Sequence, residues 1–203
     1  MGIRKSFAVS EYYHIFNRGV EKRIIFKQQR DYVRFIEYLR FFNTEEPSRS
    51  IDFRKYKCKD RPCRLVEVVA YCLNPNHFHL ILKEKEENGI STFLKKICTG
   101  YAMYFNKKYE RSGILFQGRF KSAHIGSNDL LLYESAYVNC NSEIHGIKDA
   151  ENYKWCSFDE YLGKSKGICQ RNIISGQFAS SQDYRKFCAE KVIGMKERKE
   201  MKK

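Results

Sequence analysis

The sequence predicts an α+β fold of the ferredoxin-like type, in which an antiparallel sheet carries helices mainly on one face. One observation is the order of the predicted elements, which is strand, helix, strand, strand, helix, strand, helix. A second is a pair of apolar runs, residues 65–73 and 80–83, joined by Asn74-Pro75-Asn76, whose residue types favour a turn. Together they predict two consecutive strands within one sheet.

The first third of the chain predicts one strand, one helix and a polar insertion. Residues 12–19 are rich in aromatic side chains and end in a glycine, which predicts a strand followed by a turn. Residues 28–43 space their apolar side chains helically, so we expect a helix there. The stretch from about residue 44 to residue 62 is polar and holds two of the three prolines of the chain, and we interpret it as an insertion.

His77 and His79 begin the second strand of the predicted pair. Side chains two apart in a strand point the same way, so the two imidazoles share one face while Phe78 and Leu80 take the other. Histidines two apart also occur by chance, and most histidines are structural or exposed. The apolar opposite face and the buried flanks favour a site for one divalent metal ion, because polar groups at the edge of a core need partners.

The second half of the chain predicts a helix, a basic strand and a further helix. Residues 90–109 place their apolar side chains on one helical face. After a break at Gly113, residues 114–125 combine apolar and basic side chains and predict a strand. A helix from about residue 129 to residue 141 follows.

The last of these helices carries two candidate nucleophiles. Tyr133, Tyr137 and Asn141 are spaced i, i+4, i+8 and therefore lie on one face. Most tyrosines simply pack, and a phenol with a pKa of about 10 is a poor nucleophile unless a metal polarises the electrophile. If this helix lies against the histidine strand, Tyr137 could face a phosphate and Asn141 could supply a third metal ligand through its amide oxygen. Such a set suits Mg²⁺ or Mn²⁺.

The composition predicts a polyanionic partner. The 203 residues carry a formal net charge of +14, from 38 basic and 24 acidic side chains, which makes nucleic acid the first candidate and an anionic membrane surface the second. No apolar run approaches the roughly 20 residues that span a bilayer, so we expect no membrane partner. The eight cysteines form no C-x-x-C pair, and the start of the chain lacks the pattern of a signal peptide. These features predict a cytoplasmic protein with reduced thiols.

Several basic side chains are candidates for contacts with DNA phosphates. A charged residue on a helix or strand usually just faces solvent, so each candidate alone is a weak signal. The net charge of +14 favours contacts between these side chains and DNA phosphates. Phe116 and Phe120, which lie among basic residues, could stack on unpaired bases. The candidate phosphate contacts are Arg18, Arg23, Lys95, Lys96, Arg119 and Lys121.

Five segments in order resemble one family, the REP-associated tyrosine transposases within the single-tyrosine HUH transposases of insertion-sequence type. The resemblance runs from about Tyr12 to Gly163, and five ordered matches are far more specific than a single His-x-His. The matching segments are Tyr71-Cys72-Leu73-Asn74-Pro75-Asn76-His77-Phe78-His79-Leu80, residues 16–23, residues 113–121, Tyr137-Val138-Asn139-Cys140-Asn141 and residues 153–163.

The resemblance implies a set of roles for the site residues. His77 and His79 would bind the metal with Asn141 as third ligand, and Tyr137 rather than Tyr133 would attack a phosphate in single-stranded DNA. The product would be a 5′-phosphotyrosyl enzyme and a free 3′-hydroxyl, formed at hairpin repeats. The family occurs as monomers or homodimers. The sequence departs from the family pattern at Asn74, where methionine is frequent, and at Ser142 and Ile144, where proline and arginine are common.

The resemblance also implies a domain organisation and leaves two alternatives. We expect a transposase domain over residues 1–165, with the insertion, and a C-terminal extension over residues 166–203 that ends in a basic, mobile tail. One alternative is a domesticated protein that binds hairpin repeats without cutting them. The other is a replication or relaxation nuclease with the same chemistry, although the chain lacks the extra domain that such proteins usually carry.

Overall fold

The structure, a computed structural model, describes residues 7–46 and 64–201. Its centre is an antiparallel sheet of four strands in the spatial order β2-β3-β1-β4. A two-residue turn at Pro75 and Asn76 connects β2 to β3, as the residue types predict. The strands are β1 (Tyr12–Arg18), β2 (Val66–Asn74), β3 (His77–Glu84) and β4 (Lys121–Ile125).

Seven α-helices accompany the sheet in the described part of the chain. Four of them are long. The first three of these begin close to the predicted positions, and the fourth lies at the C-terminal end of the described residues. The helices are α1 (Gln29–Phe41), α2 (Gly89–Lys108), α3 (Asn128–Asn139), α4 (Asn141–Ile144), α5 (Phe158–Tyr161), α6 (Asn172–Ser175) and α7 (Ser181–Glu200).

The two faces of the sheet bury different sets of side chains. On β3, Phe78, Leu80 and Leu82 point to the face that packs against α1 and α2. Ile81 points to the opposite face, where it joins a second apolar cluster with residues of α3 and α7. The α+β class and the antiparallel sheet are therefore confirmed. The expectation that helices lie mainly on one face needs correction, because the second half of the chain supplies helices to the other face.

The basic strand is shorter than the sequence predicts. Within residues 114–125 only Lys121–Ile125 forms a continuous strand with β1, because Gly118 turns the chain with a φ of +70° and Phe116 enters the core. Phe116 is 8% exposed and lies edge-on to Phe78, with 5.9 Å between ring centroids. It is a core residue, so the idea that it stacks on bases is wrong. Phe120 is partly buried and stacks on Phe7 at 6.2 Å.

The C-terminal end also differs from expectation. The segment predicted to be a mobile tail continues α7 as far as Glu200, and Met195 is buried in the second apolar cluster. Residues 47–63, which hold most of the predicted insertion with Cys58 and Cys63, lie outside the described part, as do residues 202–203. The six cysteines within the described ranges are all free thiols.

Candidate active site

A cavity of about 550 Å³ opens on the face of the sheet that carries the histidines. It collects side chains from four separate parts of the sequence, because β3 and β4 flank β1 on either side and α3 packs against the sheet. Its wall combines imidazoles, one phenol and cationic groups. These side chains are His77, His79, Tyr137, Arg18, Lys22 and Lys121.

The register of the sheet places these groups beside one another. Arg18 on β1 pairs with His77 on β3, and two residues away Phe16 pairs with His79. Phe16 also pairs with Lys121 on β4, so a cation, an aromatic ring and an imidazole form one row across the sheet. The Phe16 and His79 rings are stacked with 5.7 Å between their centroids. The period of two along each strand therefore collects the polar groups on one face.

The Nε2 lone pair of His77 lies beside the side-chain oxygen of Asn141 and accepts a hydrogen bond from Asn74. The His77 Nδ1 atom lies 2.6 Å from the Asn76 side-chain oxygen, an acceptor, so Nδ1 carries the proton and Nε2 does not. That Nε2 atom is 3.4 Å from Asn141 Oδ1, and both atoms face the same amide group, Nδ2 of Asn74. The Asn74 nitrogen lies 2.9 Å from the histidine and 2.6 Å from the Asn141 oxygen.

This arrangement fits a divalent cation. Two lone pairs converge on one NH₂ group, which has a positive partial charge, and the same lone pairs would stabilise a metal ion. Across the described residues no group of three His, Cys, Asp or Glu side chains is placed to hold a metal. The set predicted from the sequence, His77 and His79 with the amide oxygen of Asn141, therefore depends on an amide as its third donor. Asn141 is fully buried, and its own Nδ2 has no hydrogen-bond partner.

Burial keeps both imidazoles neutral. It lowers the pKa of His77 to about 4, assisted by the neighbouring His145 and opposed by the side-chain oxygen of Asn141, which favours the protonated ring. It also lowers the pKa of His79 well below its usual value, and the nearby His14 acts in the same direction. A neutral imidazole is the form that binds metals.

Tyr137 and Tyr133 differ in their surroundings, although sequence spacing does not separate them. The Tyr137 ring lies edge-on to His79, with 5.6 Å between centroids, and borders the cavity. Tyr133 instead lies against α7, where its hydroxyl accepts a hydrogen bond of 3.3 Å from Arg198. Burial raises the pKa of Tyr137, and the nearby Asn141 side chain acts in the opposite direction. The structure thus brings Tyr137, and not Tyr133, together with the predicted metal ligands.

The predicted phosphate contacts separate into two groups. Arg18 and Lys121 line the cavity, and the Arg18 Nε donates a hydrogen bond to Gln117 Oε1. Lys95 and Lys96 lie on α2, which covers the opposite face of the sheet. Lys96 donates hydrogen bonds to the carbonyl oxygens of residues 44 and 46, the second at 2.7 Å. Arg23 and Arg119 are not among the described residues that line the cavity.

Three further groups at or beside the cavity were not identified from the sequence. His14 lies on β1 and contacts His79 at 2.8 Å, and His145 follows α4 with its ring 4.9 Å from that of His77. Lys22 reaches the cavity from a turn in which it has a φ of +58°. A histidine inside an aromatic strand was a signal that could have revealed His14. His145 and Lys22 lie in turns, and nothing in their local sequence marks them.

Comparison with known proteins identifies the family. Residues 9–141 match the model of a family described as IS200-like transposase, and this match spans more than half of the chain. The chain therefore belongs to the IS200-like transposases, which are DNA-processing enzymes. The resemblance of the five sequence segments to transposases of insertion-sequence type is therefore confirmed.

A solved structure supports the same fold. It is described as a REP-associated tyrosine transposase bound to a REP hairpin, and it matches with a TM-score of 0.58 at 15% identity. The match covers 81% of this chain and 86% of that one. No curated protein matches the chain in sequence. In the part of the chain that the structure describes, no helix has the length and apolar character to cross a membrane.

Proposed function

We propose that this protein cleaves and rejoins single-stranded DNA at hairpin-forming repeats, with Tyr137 as the nucleophile. The observation that carries the proposal is the shared cavity, in which the phenol, two neutral imidazoles and three cationic side chains meet. The solved transposase with a bound REP hairpin supports the choice of DNA substrate, because it has the same fold.

The cationic groups account for DNA binding in this proposal. Arg18, Lys22 and Lys121 would neutralise phosphates on either side of the scissile one and hold the strand over the histidines. Lys95 and Lys96 are not part of this surface, because α2 places them behind the sheet. The contact surface is therefore on one face of the sheet.

In the proposed cleavage step the Tyr137 oxygen loses its proton and forms a bond to phosphorus. The bond from phosphorus to the 3′-oxygen breaks, and that oxygen takes up a proton to become a free 3′-hydroxyl. The 5′-phosphate remains on the tyrosine. Attack of a 3′-hydroxyl on this link reverses the exchange and rejoins DNA, so no external energy source is required.

His77, His79 and Asn141 would hold Mg²⁺ or Mn²⁺ in this site. A bound cation of this kind polarises the phosphate as a Lewis acid. That help matters here because burial raises the pKa of Tyr137 and keeps the phenol protonated at neutral pH. Asn74, whose amide now faces both His77 and Asn141, would have to turn aside.

The direct test is covalent attachment of labelled DNA. The full chain is incubated with Mn²⁺ and a single strand that is labelled at its 3′ end and contains a hairpin repeat of the source genome, and the products are separated on a denaturing gel. We expect a protein–DNA adduct that disappears with chelator and in Tyr137→Phe. Tyr133→Phe is the matched control and should keep the adduct, because its hydroxyl contacts Arg198. Tight binding without an adduct would identify a non-cleaving hairpin-binding protein instead.

A further inference from the structure

Glu134, His14 and His79 form a continuous polar chain behind the cavity. Glu134 Oε2 lies 2.9 Å from His14 Nδ1, and His14 Nε2 lies 2.8 Å from His79 Nδ1. The two imidazoles are each 7% exposed. The three side chains come from α3, β1 and β3, so the chain connects the nucleophile helix to two central strands.

Hydrogen-bond chemistry indicates the proton positions along this chain for the form in which His14 carries a single proton. A carboxylate only accepts, so the proton between Glu134 and His14 lies on His14 Nδ1. A neutral imidazole has one N–H, so His14 Nε2 is then an acceptor, and the proton of the second contact lies on His79 Nδ1. The Nε2 atom of His79 is left without a proton. That atom is the one on the far side of the ring from His14, and its lone pair is available to a metal.

The burial of the Glu134 carboxylate favours a proton on His14 Nδ1. Glu134 Oε2 is shielded from water, and the contact to His14 is short but poorly aligned, so this oxygen has no well-formed hydrogen bond. A buried carboxylate oxygen without a partner is costly, and the N–H of His14 is the donor at hand. Glu134 also lies one turn before Tyr137 on α3, so the same contact joins the helix that carries the proposed nucleophile to β1.

We propose that Glu134 and His14 are positioning residues that hold His79 in the Nδ1–H tautomer and aim its Nε2 lone pair at the metal. This inference rests on the metal site of the proposed function. Metal-binding histidines commonly donate their second N–H to a fixed acceptor, and loss of that acceptor lowers metal affinity. In this protein the acceptor is a second histidine, which is itself fixed by a carboxylate.

The tautomers can be measured without any metal. Two-bond ¹⁵N–¹H correlation spectra of the ¹⁵N-labelled full chain distinguish Nδ1–H from Nε2–H imidazoles, and single His→Gln variants assign the signals of the five histidines. We expect Nδ1–H for both His14 and His79. An Nε2–H signal for His79 would overturn the inference.

Metal affinity provides the second readout. Mn²⁺ binding to the full chain is followed by the loss of its free-ion electron paramagnetic resonance signal. His14→Phe removes the acceptor, and we expect an affinity loss of about 10- to 100-fold. His14→Gln keeps a side-chain oxygen that can accept from His79, so its affinity should remain close to that of the unaltered protein. Thermal unfolding of each variant identifies any that fails to fold.

His124→Gln is the matched control. His124 on β4 also contacts a carboxylate, Glu11 just before β1, at 2.7 Å, but this pair is half exposed and does not contact His79. The control should leave Mn²⁺ affinity unchanged. Equal affinity in His14→Phe and the unaltered protein would overturn the positioning role and leave the metal assignment standing. If the unaltered protein binds no Mn²⁺, the metal assignment of the proposed function fails, and the positioning role fails with it.

Discussion

The two faces of β3 differ although they share one backbone. Phe78, Leu80 and Leu82 face α1 and α2 and are fully buried among apolar side chains. His77 and His79, which alternate with them, line the cavity, where His77 contacts Asn74 and Asn76 and His79 contacts His14. Because successive side chains of a strand point to opposite faces, one strand can contribute to the apolar core with one face and to the candidate site with the other. Substitutions on the two faces should therefore have different consequences.

Substitution of both histidines by alanine should give the largest effect. His77→Ala with His79→Ala removes two of the three proposed metal donors, and we expect metal-dependent cleavage to fall below detection. Binding of the hairpin should persist, because Arg18 and Lys121 remain in the cavity wall. The measurements are adduct formation on a denaturing gel and a gel-shift titration on the same DNA. Cleavage that continues with Mn²⁺ would contradict the assignment of these ligands.

Leu80→Ala tests the other face of the same strand. Leu80 is fully buried in the core between the sheet and its two helices, so its truncation leaves a cavity. The free energy of unfolding should fall by about 2–5 kcal/mol, as measured by urea denaturation. The tautomers and metal affinity of the histidine face should change little at temperatures where the variant is folded. A variant that lost Mn²⁺ binding while its stability was unchanged would contradict the separation of the two faces.

Single cationic residues should give the smallest effects. Arg18→Ala and Lys121→Ala each remove one proposed phosphate contact, which should weaken binding of single-stranded DNA and lower the slope of log affinity against log salt by about 0.7. Lys95→Ala is the matched control, because it is exposed on the helix that covers the opposite face. The measurement is fluorescence anisotropy at several salt concentrations. An equal loss in Lys95→Ala would show that DNA also contacts the α1 and α2 side.

Local sequence signals predicted the first three strands and the helices α1, α2 and α3, but not the long helix α7. The turn at Pro75 and the alternation around His79 depend on residues close in sequence, and both appear in the structure as expected. The predictions from sequence were wrong where packing between residues distant in the sequence determines the structure. Phe116 lies in a stretch whose residue types predict a strand, but its ring packs against Phe78 in the core. The charged C-terminal segment remains helical because Met195 is buried against the rest of the chain.

The sequence by itself determined which chemistry the site can offer. The spacing of His77 and His79 places both imidazoles on one face, and the segment around Tyr137 marks the family. Only the tertiary structure decided which distant groups join them. It separated Tyr137 from Tyr133, placed Lys95 behind the sheet, and brought His14 and Glu134 to His79. The physical reason is that the face on which a side chain lies follows from the local periodicity of its strand or helix. The side chains that lie beside it across the sheet depend on strand order and register, and contacts between residues distant in the sequence establish these.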